Sequence, residues 1–288
     1  MCRHLAYLGP PRTLASLLYD PPQSLVRQSW APRNQRYGTV NADGYGVGWY
    51  QPDVSPEPGR FRRAGPIWAD RSLESLARVV RSGAFLAAVR SATPPAPIEE
   101  TGAAPFTDGP WLFSLNGRVN CDLDALRGQV SPRRRATILG TSDAELLFAL
   151  LLDRLDGGSP PAKALAGLVG DAPGRLNRLN LLLTDGATIW ATTWGDSLSW
   201  RPWGAPRSER SERAGPSPSR PSGSSGDALG SPGELGPGVV VASEPLDDEP
   251  GWVAVPDCSL LTATADSTSV VPLPTAAARD DEQGAPAP

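Results

Sequence analysis

The sequence is short of the residues from which most catalytic centres are built. It contains one histidine, His4, and three cysteines, Cys2, Cys121 and Cys258, among 288 residues. A lone histidine without neighbouring cysteines or carboxylates is poor material for a zinc site, so we expect neither a metal nor a cofactor. A Ser-His-Asp triad would have to use His4 as its base, and no Gly-x-Ser-x-Gly segment is present to supply the nucleophile. Three widely spaced cysteines form no disulfide framework and predict a reducing, cytoplasmic location.

Long apolar runs and an excess of positive charge are also absent. The longest apolar run, around residues 146–152, is far shorter than the roughly 20 residues of a membrane span. The first residues lack the charged-then-apolar layout of a secretory signal. Lysine and arginine number 27 against 31 aspartate and glutamate, a formal charge of −4. Because phosphate binding needs clustered positive charge, we expect no nucleic-acid partner, and because no apolar run is long enough to span a bilayer, we expect no membrane partner. The oligomeric state stays open, with a homo-oligomer as one alternative.

Hydrophobic periodicity predicts strands together with two amphipathic helices. Strand patterns cover residues 2–8, 43–50, 85–89, 179–183, 188–194, 238–243 and 258–265. The alternation in the first strand places Cys2 and His4 on one face, and the glycines of 43–50 predict close approach of another backbone or a ligand. Asp185-Gly186 is a hairpin signal, and residues 111–119 are interpreted as two short strands about Asn116-Gly117.

Capping residues predict the ends of the helices, and composition predicts the domain boundaries. The first helix is predicted over 72–82 with Gly83 as its carboxyl-terminal cap, and the second over 142–155 behind a capping box of Ser142 and Glu145. Between residues 204 and 238 the composition shifts to Pro, Gly and Ser with few apolar residues, which predicts a disordered insertion. We therefore predict one catalytic domain over 2–275 and a disordered tail over 276–288.

Cys2 is the strongest candidate nucleophile. If Met1 is removed, Cys2 carries both a thiol and a free α-amine. Terminal amines titrate at about pH 7.7–8.0 and thiols near about 8.5, so an amine can take a thiol proton directly or through water at neutral pH. No histidine is then required. The alternative is that Cys2 is an ordinary buried cysteine without reactivity, as we interpret Cys121 and Cys258.

Five motifs in order resemble the class II glutamine amidotransferase family. They are Cys-Arg-His-Leu at the start, residues 41–49, Val89-Arg90-Ser91-Ala92-Thr93, Asn116-Gly117 and Ser142-Asp143-Ala144-Glu145. Segments 31–33, 105–109, 192–196 and 242–245 are more narrowly similar to the stand-alone γ-glutamyl amidohydrolases of ergothioneine biosynthesis. The resemblance implies an α+β fold, a single-domain, four-layer αββα sandwich of the N-terminal-nucleophile type.

The resemblance also implies roles for the matching residues. Arg90 holds the α-carboxylate of a γ-glutamyl group with Thr93 as a hydroxyl donor, and Asp143 holds the α-ammonium. The Asn116 side-chain amide and the Gly117 N–H point at the developing oxyanion. Three of these assignments have a structural alternative. Arg90 could be a strand-end charge that reaches water, and Asp143 could be a carboxylate that stabilises the helix dipole. Asn116-Gly117 could be a hairpin turn.

The implied reaction is hydrolysis of the γ-glutamyl amide of γ-glutamyl-hercynylcysteine sulfoxide through a Cys2 thioester. Because this small-molecule substrate carries a trimethylated ammonium group, we expect an aromatic leaving-group pocket. The candidates for that pocket are Trp30, Tyr37, Trp49 and Tyr50.

Two departures from the broader family put free glutamine in doubt as substrate: Pro94-Pro95 follows Thr93, and Leu115 precedes Asn116. A glutaminase subunit that supplies ammonia to a separate synthase, and a catalytically silent binding module, stay as alternatives.

Overall fold

The computed structural model describes residues 2–36, 38–92, 96–119, 122–171, 178–203 and 237–274. Its strands are β1 (Arg3–Thr13), β2 (Gly44–Trp49), β3 (Gly59–Arg63), β4 (Arg81–Arg90), β5 (Phe106–Asp108), β6 (Trp111–Arg118), β7 (Arg178–Thr184), β8 (Ile189–Thr193), β9 (Ser199–Pro202), β10 (Val239–Ala242), β11 (Val253–Ala254), β12 (Ser259–Ala263) and β13 (Thr268–Pro272). Its helices are α1 (Ala15–Leu18), α2 (Leu25–Trp30), α3 (Arg71–Val79), α4 (Leu123–Gln129), α5 (Pro132–Arg135), α6 (Asp143–Asp156) and α7 (Pro161–Asp171).

The strands form two antiparallel sheets. The first has the order β11-β9-β10-β1-β4-β2-β3 and the second the order β13-β12-β8-β7-β6-β5. Helices α1, α2 and α3 pack on the outer face of the first sheet, and α6 and α7 pack on the outer face of the second. A third apolar cluster fills the space between the sheets. The four-layer αββα prediction is therefore confirmed. None of the helices in the described ranges has the length and apolar composition needed to cross a bilayer.

Strand β1 shows how the two-residue period builds these layers. Leu5 and Tyr7 point to the helix side, while Ala6 and Leu8 point between the sheets. The strand does not end at Leu8 as predicted: it continues through Gly9-Pro10-Pro11 to Thr13, after a shift of register between Leu8 and Arg12. Proline is tolerated at such a bulge, where the ladder is already interrupted.

The glycines of β2 allow the two sheets to pack closely. A Cβ at Gly46 would lie 2.5 Å from the Ala104 carbonyl oxygen, and one at Gly48 would lie 2.6 Å from the Leu112 side chain. Both distances are below van der Waals contact, so a side chain at either position would force its neighbour to shift. The expectation of a close approach on one face of this strand is confirmed.

The structure corrects two local interpretations. Helix α3 ends at Val79, and Gly83 lies inside β4 rather than at a helix cap. Gly83 is required there because a Cβ would come within 2.8 Å of the Gly9 carbonyl oxygen. Residues 111–118 form one continuous strand, β6, which pairs with β7. Asn116-Gly117 is therefore not a turn, because the partner strand takes up the backbone hydrogen bonds that a hairpin would have closed.

Other predicted elements are confirmed. The strands β7 and β8 join through the turn at Asp185, whose side chain accepts from the backbone N–H groups of Ala187 and Thr188. Helix α6 begins behind Ser142, whose hydroxyl accepts from the Glu145 N–H at 3.2 Å. Residues 204–236 of the predicted insertion and the predicted tail over 276–288 lie outside the described residues. The domain boundaries stay a prediction.

Candidate active site

Four of the predicted site residues line one cavity of about 420 Å³ at the ends of the central strands. Cys2 precedes β1, Arg90 ends β4, Gly117 lies near the end of β6 and Asp143 begins α6. The strands run antiparallel, so residues far apart in the sequence meet at one edge of the two sheets. Asn116 lies beside them and contacts Cys2 directly.

The contact between Cys2 and Asn116 is the central feature of the site. The Cys2 backbone N–H donates to Asn116 Oδ1 at 3.1 Å. Asn116 is fully buried, and its Nδ2 group has no hydrogen-bond partner among the described residues. A buried amide donor without a partner normally costs free energy, and such exceptions are often functional. This donor lies next to the candidate nucleophile, where an oxyanion would form.

Gly117 extends the same strand beside Asn116. A Cβ at this position would lie 2.1 Å from the Arg178 carbonyl oxygen of β7. Any other residue would therefore force the two strands apart. Glycine therefore allows β6 to pair with β7 at this position while its backbone lines the cavity.

Arg90 is delivered by β4, as predicted, and is nine-tenths buried. Its Nη1 group donates to the Pro97 carbonyl oxygen at 3.1 Å. A Cβ at Gly102 would lie 2.9 Å from the Arg90 guanidinium carbon, so the loop before β5 wraps tightly around this side chain. Arg62 holds the same loop by donating to the Thr101 and Ala103 carbonyl oxygens. The guanidinium is thus fixed in orientation before any ligand binds.

Asp43 fastens the backbone that follows Arg90, a role that sequence reasoning missed. Its N–H donates to the Arg90 carbonyl oxygen at 2.9 Å, and its Oδ2 accepts from the Ala92 N–H at 2.8 Å. The signal was present, because Asp43 lies inside the quoted motif of residues 41–49.

Asp143 is held rigidly at the start of α6. Its Oδ2 accepts from the Val119 N–H at 3.0 Å and its Oδ1 from the Ala144 N–H at 2.9 Å. Burial raises the pKa of this carboxyl, and the two hydrogen bonds and the charges of Arg90 and Arg118 offset only part of the rise. A buried carboxylate of this kind is stabilised by a cationic ligand.

Glu145 supports the loop before Asp143. Instead of closing a full capping box, its two carboxylate oxygens accept from the Leu139 and Gly140 N–H groups at 2.8 and 2.7 Å. The loop that ends at Ser142 and Asp143 is therefore tied to the first turn of α6.

Two residues beside Cys2 are deeply buried. Arg3 donates from Nη1 to the Cys2 carbonyl oxygen at 3.0 Å; burial lowers its pKa, and the charges of Glu244 and Asp196 oppose that shift. His4 Nδ1 lies 3.0 Å from Ser114 Oγ. Burial lowers the pKa of His4 to about 3, so the imidazole is neutral. It is a packed histidine between the sheets.

The aromatic leaving-group pocket is corrected by the structure, since none of Trp30, Trp49 and Tyr50 lines the cavity. Trp30 is about half exposed, and the Arg27 guanidinium lies over its ring. Trp49 packs against Gly59, where a Cβ would lie 2.9 Å from its ring. The Tyr50 hydroxyl donates to the Pro110 and Thr184 carbonyl oxygens.

Two predicted site residues, Tyr37 and Thr93, lie outside the described residues, and so does Cys121, which we interpret as an unreactive cysteine.

Comparison with known proteins agrees with this arrangement. The family of class II glutamine amidotransferases matches residues 18–202. A protein of Mycolicibacterium smegmatis named gamma-glutamyl-hercynylcysteine sulfoxide hydrolase is 39% identical over 95% of this chain and 100% of its own length. A protein of the same name from Mycobacterium tuberculosis (strain CDC 1551 / Oshkosh) is 39% identical over 95% of this chain and 97% of its own.

A solved structure shares the fold. The glutamine aminotransferase class-II domain protein from Silicibacter pomeroyi superimposes with a TM-score of 0.58 at 23% identity, covering 94% of this chain and 99% of its own. The match over more than half of the chain, and the identity to relatives along their whole length, show that this chain belongs to the class II glutamine amidotransferase family.

Proposed function

We propose that this protein hydrolyses the γ-glutamyl amide of γ-glutamyl-hercynylcysteine sulfoxide to glutamate and hercynylcysteine sulfoxide, a step of ergothioneine biosynthesis. The observation that carries the proposal is the Cys2 N–H bonded to Asn116 Oδ1, with the Asn116 Nδ2 donor left unpartnered beside the nucleophile. The names of the relatives at 39% identity support the choice of substrate. The reaction takes place in the cytoplasm, without a nucleic-acid partner.

In the first half-reaction the nucleophile forms a thioester. After removal of Met1, the Cys2 α-amine takes the thiol proton and the thiolate attacks the γ-carbonyl carbon. The negative charge moves to the carbonyl oxygen, which accepts from Asn116 Nδ2 and the Gly117 N–H. The amine then donates its proton to the departing nitrogen, the C–N bond breaks, and the free amine product leaves.

In the second half-reaction water releases glutamate. The α-amine, now neutral, takes a proton from water as its oxygen attacks the thioester carbon. The same two donors hold the second oxyanion. The C–S bond breaks, the proton returns to the sulfur, and glutamate departs with Cys2 regenerated.

The glutamyl headgroup binds at the other side of the cavity. The Arg90 guanidinium matches the α-carboxylate in two parallel hydrogen bonds, and the buried Asp143 carboxylate pairs with the α-ammonium. Thr93 adds a hydroxyl donor, a role proposed from the family motif alone. Positioning by groups that are already fixed lowers the entropic cost of reaching the transition state.

Intact-mass measurement with an electrophilic glutamine analogue tests the nucleophile. The wild-type protein should lack the mass of Met1 and gain one adduct, while Cys2→Ala should gain none. Cys258→Ala is the matched control, because Cys258 is also half-buried and free, and it should still be labelled. Labelling of Cys2→Ala, or failure to label Cys258→Ala, would contradict the proposal.

A substrate comparison tests the leaving group. Glutamate release should be faster from γ-glutamyl-hercynylcysteine sulfoxide than from glutamine. Preference for glutamine, with acceleration by a separate synthase, would indicate the ammonia-supplying alternative instead.

A further inference from the structure

The inner faces of β6 and β7 carry an unusual pair of charges at the cavity end. Asn116 is paired with Asn180, and two residues further Arg118 is paired with Arg178. Because side chains alternate along a strand, Asn116 and Arg118 lie on the same face. Like charges directly opposite each other in a sheet are destabilising. We therefore expect the charges of these two arginines to be offset by anionic groups.

Only one of the two arginines finds such a group within the described residues. Arg178 Nε lies 3.5 Å from Asp196 Oδ2. Arg118 is exposed, lines the cavity, and forms no hydrogen bond or ion pair with a described residue. The charge of Arg118 acts on the nearby Asp143 carboxylate and lowers its pKa, but no hydrogen bond or ion pair joins these two side chains in the described residues. The Arg118 guanidinium is therefore available to a ligand.

The charges of the cavity match one class of γ-glutamyl compound. Among the described residues that line it, the charged side chains are Arg90, Arg118 and Asp143. A γ-glutamyl amide of an α-amino acid carries two carboxylates and one ammonium, which complements two guanidiniums and one carboxylate. Glutamine and γ-glutamyl amides of simple amines carry only one carboxylate and would leave a guanidinium unpaired.

We propose that Arg118 binds the carboxylate on the carbon attached to the scissile nitrogen, so that the site selects γ-glutamyl amides of α-amino acids. The assignment rests on the proposed function, in which Arg90 already holds the glutamyl α-carboxylate. Arg118 directly follows Gly117, which holds the oxyanion in that reaction. The carboxylate of the leaving amino acid is two bonds from the scissile nitrogen and therefore lies close to the same stretch of β6.

A matched pair of substrates tests this role. γ-Glutamyl-S-methylcysteine and the γ-glutamyl amide of 2-(methylthio)ethylamine differ only in the carboxylate. Arg118→Gln should lower kcat/KM for the first by about 10- to 100-fold, the range expected for a hydrogen-bonded charge pair. It should change kcat/KM for the second by less than about threefold. Arg135→Gln is the control, since it removes the same charge from an exposed helix outside the cavity, and it should affect neither substrate.

Equal losses with both substrates would overturn the proposal, because Arg118 would then act on the glutamyl headgroup. No loss with either substrate would overturn it as well.

Binding to Cys2→Ala separates this inference from the proposed reaction. In that background, the further substitution Arg118→Gln should weaken calorimetric binding of γ-glutamyl-S-methylcysteine but not of the carboxylate-free amide. If binding weakens in this way but the wild-type protein does not turn the substrate over, the proposed hydrolysis is refuted and the role of Arg118 in specificity is kept. If binding of γ-glutamyl-S-methylcysteine is unchanged, the role of Arg118 is refuted.

Discussion

The space between the two sheets has an apolar end and a polar end, built on the same strands. At the apolar end the inner faces of β6 and β7 contribute Leu112 and Leu182, both fully buried in one cluster. At the polar end the same faces carry Asn116, Asn180 and the arginines that follow them. The transition takes four residues on β6, from Leu112 to Asn116, and two on β7, from Leu182 to Asn180.

The two ends contribute differently to the protein. Close packing at the apolar end removes hydrocarbon from water and stabilises the fold. At the polar end, Asn116 Nδ2 and His4 Nε2 are buried without partners among the described residues, and each such group costs about 1–3 kcal/mol. We infer that the stability supplied by one end is partly offset at the other, where donors are kept ready for a substrate.

The largest effect is expected from Asn116→Ala. Removing one oxyanion donor typically costs about 100- to 1,000-fold in kcat. The free energy of unfolding should change by no more than about 1.5 kcal/mol, because the variant loses one accepted hydrogen bond and also one unsatisfied donor. Steady-state kinetics and urea denaturation measure the two quantities.

Asn180→Ala is the matched control, because Asn180 faces Asn116 across the ladder with its partners satisfied. Its Nδ2 donates to the Asp196 and Ser197 carbonyl oxygens and its Oδ1 accepts from the Trp194 N–H. Leaving these buried groups unpaired should cost about 3 kcal/mol of stability or more, with a smaller loss of kcat than Asn116→Ala. The reverse ranking in kcat would contradict the oxyanion assignment.

At the apolar end, Leu182→Ala should lower the free energy of unfolding by about 2–5 kcal/mol, since it leaves a cavity in a fully buried cluster. The same variant should keep kcat within about threefold of wild type at a temperature where it is folded. A large loss of kcat in the folded variant would show that the two ends are not separable.

The smallest effect is a pH dependence at the polar end. His4 is the one histidine of the sequence, and its pKa falls from 6.5 to about 3 on folding. Below pH 6.5 the unfolded chain binds a proton that the folded protein rejects, so stability that is present above pH 6.5 is lost as the pH falls towards 3. Linkage gives a loss of about 2 kcal/mol between pH 7 and pH 5.

Comparison with His4→Asn isolates this contribution, since the carboxylates titrate in both proteins. Between pH 7 and pH 5, the unfolding free energy of the variant should fall by about 2 kcal/mol less than that of the wild type. This difference does not depend on the stability of the variant at pH 7. Parallel slopes would show that His4 is protonated in the folded protein.

Local patterns predicted much of the fold. The alternation in β1, the amphipathic character of α3 and the cap at Ser142 each follow from neighbouring residues, and the structure contains all three. Two of the errors lie at Gly83 and Asn116-Gly117, where glycine serves a close approach between strands instead of a cap or a turn. A distant strand supplies the backbone that comes close, so no local window contains the signal.

The site was predicted unevenly for the same reason. Cys2, Arg90 and Asp143 stand in motifs with a recognisable order, and they line one cavity. Arg118 was missed because an arginine at a strand end usually reaches into water. Trp49 and Tyr50 were misassigned, because an aromatic side chain suits core packing and cation binding equally well until its neighbours are known.

The sequence by itself determined the available chemistry: a cysteine at position 2, a single histidine, and the motifs of an amidotransferase. Only the tertiary structure decided which groups meet. Cys2 and Asn116 are 114 residues apart, and their contact depends on the register of β1 and β6 and on how the two sheets stack. Such contacts are set by packing across the whole molecule. The arrangement of charges in the cavity is therefore a property of the folded structure that no local stretch of sequence contains.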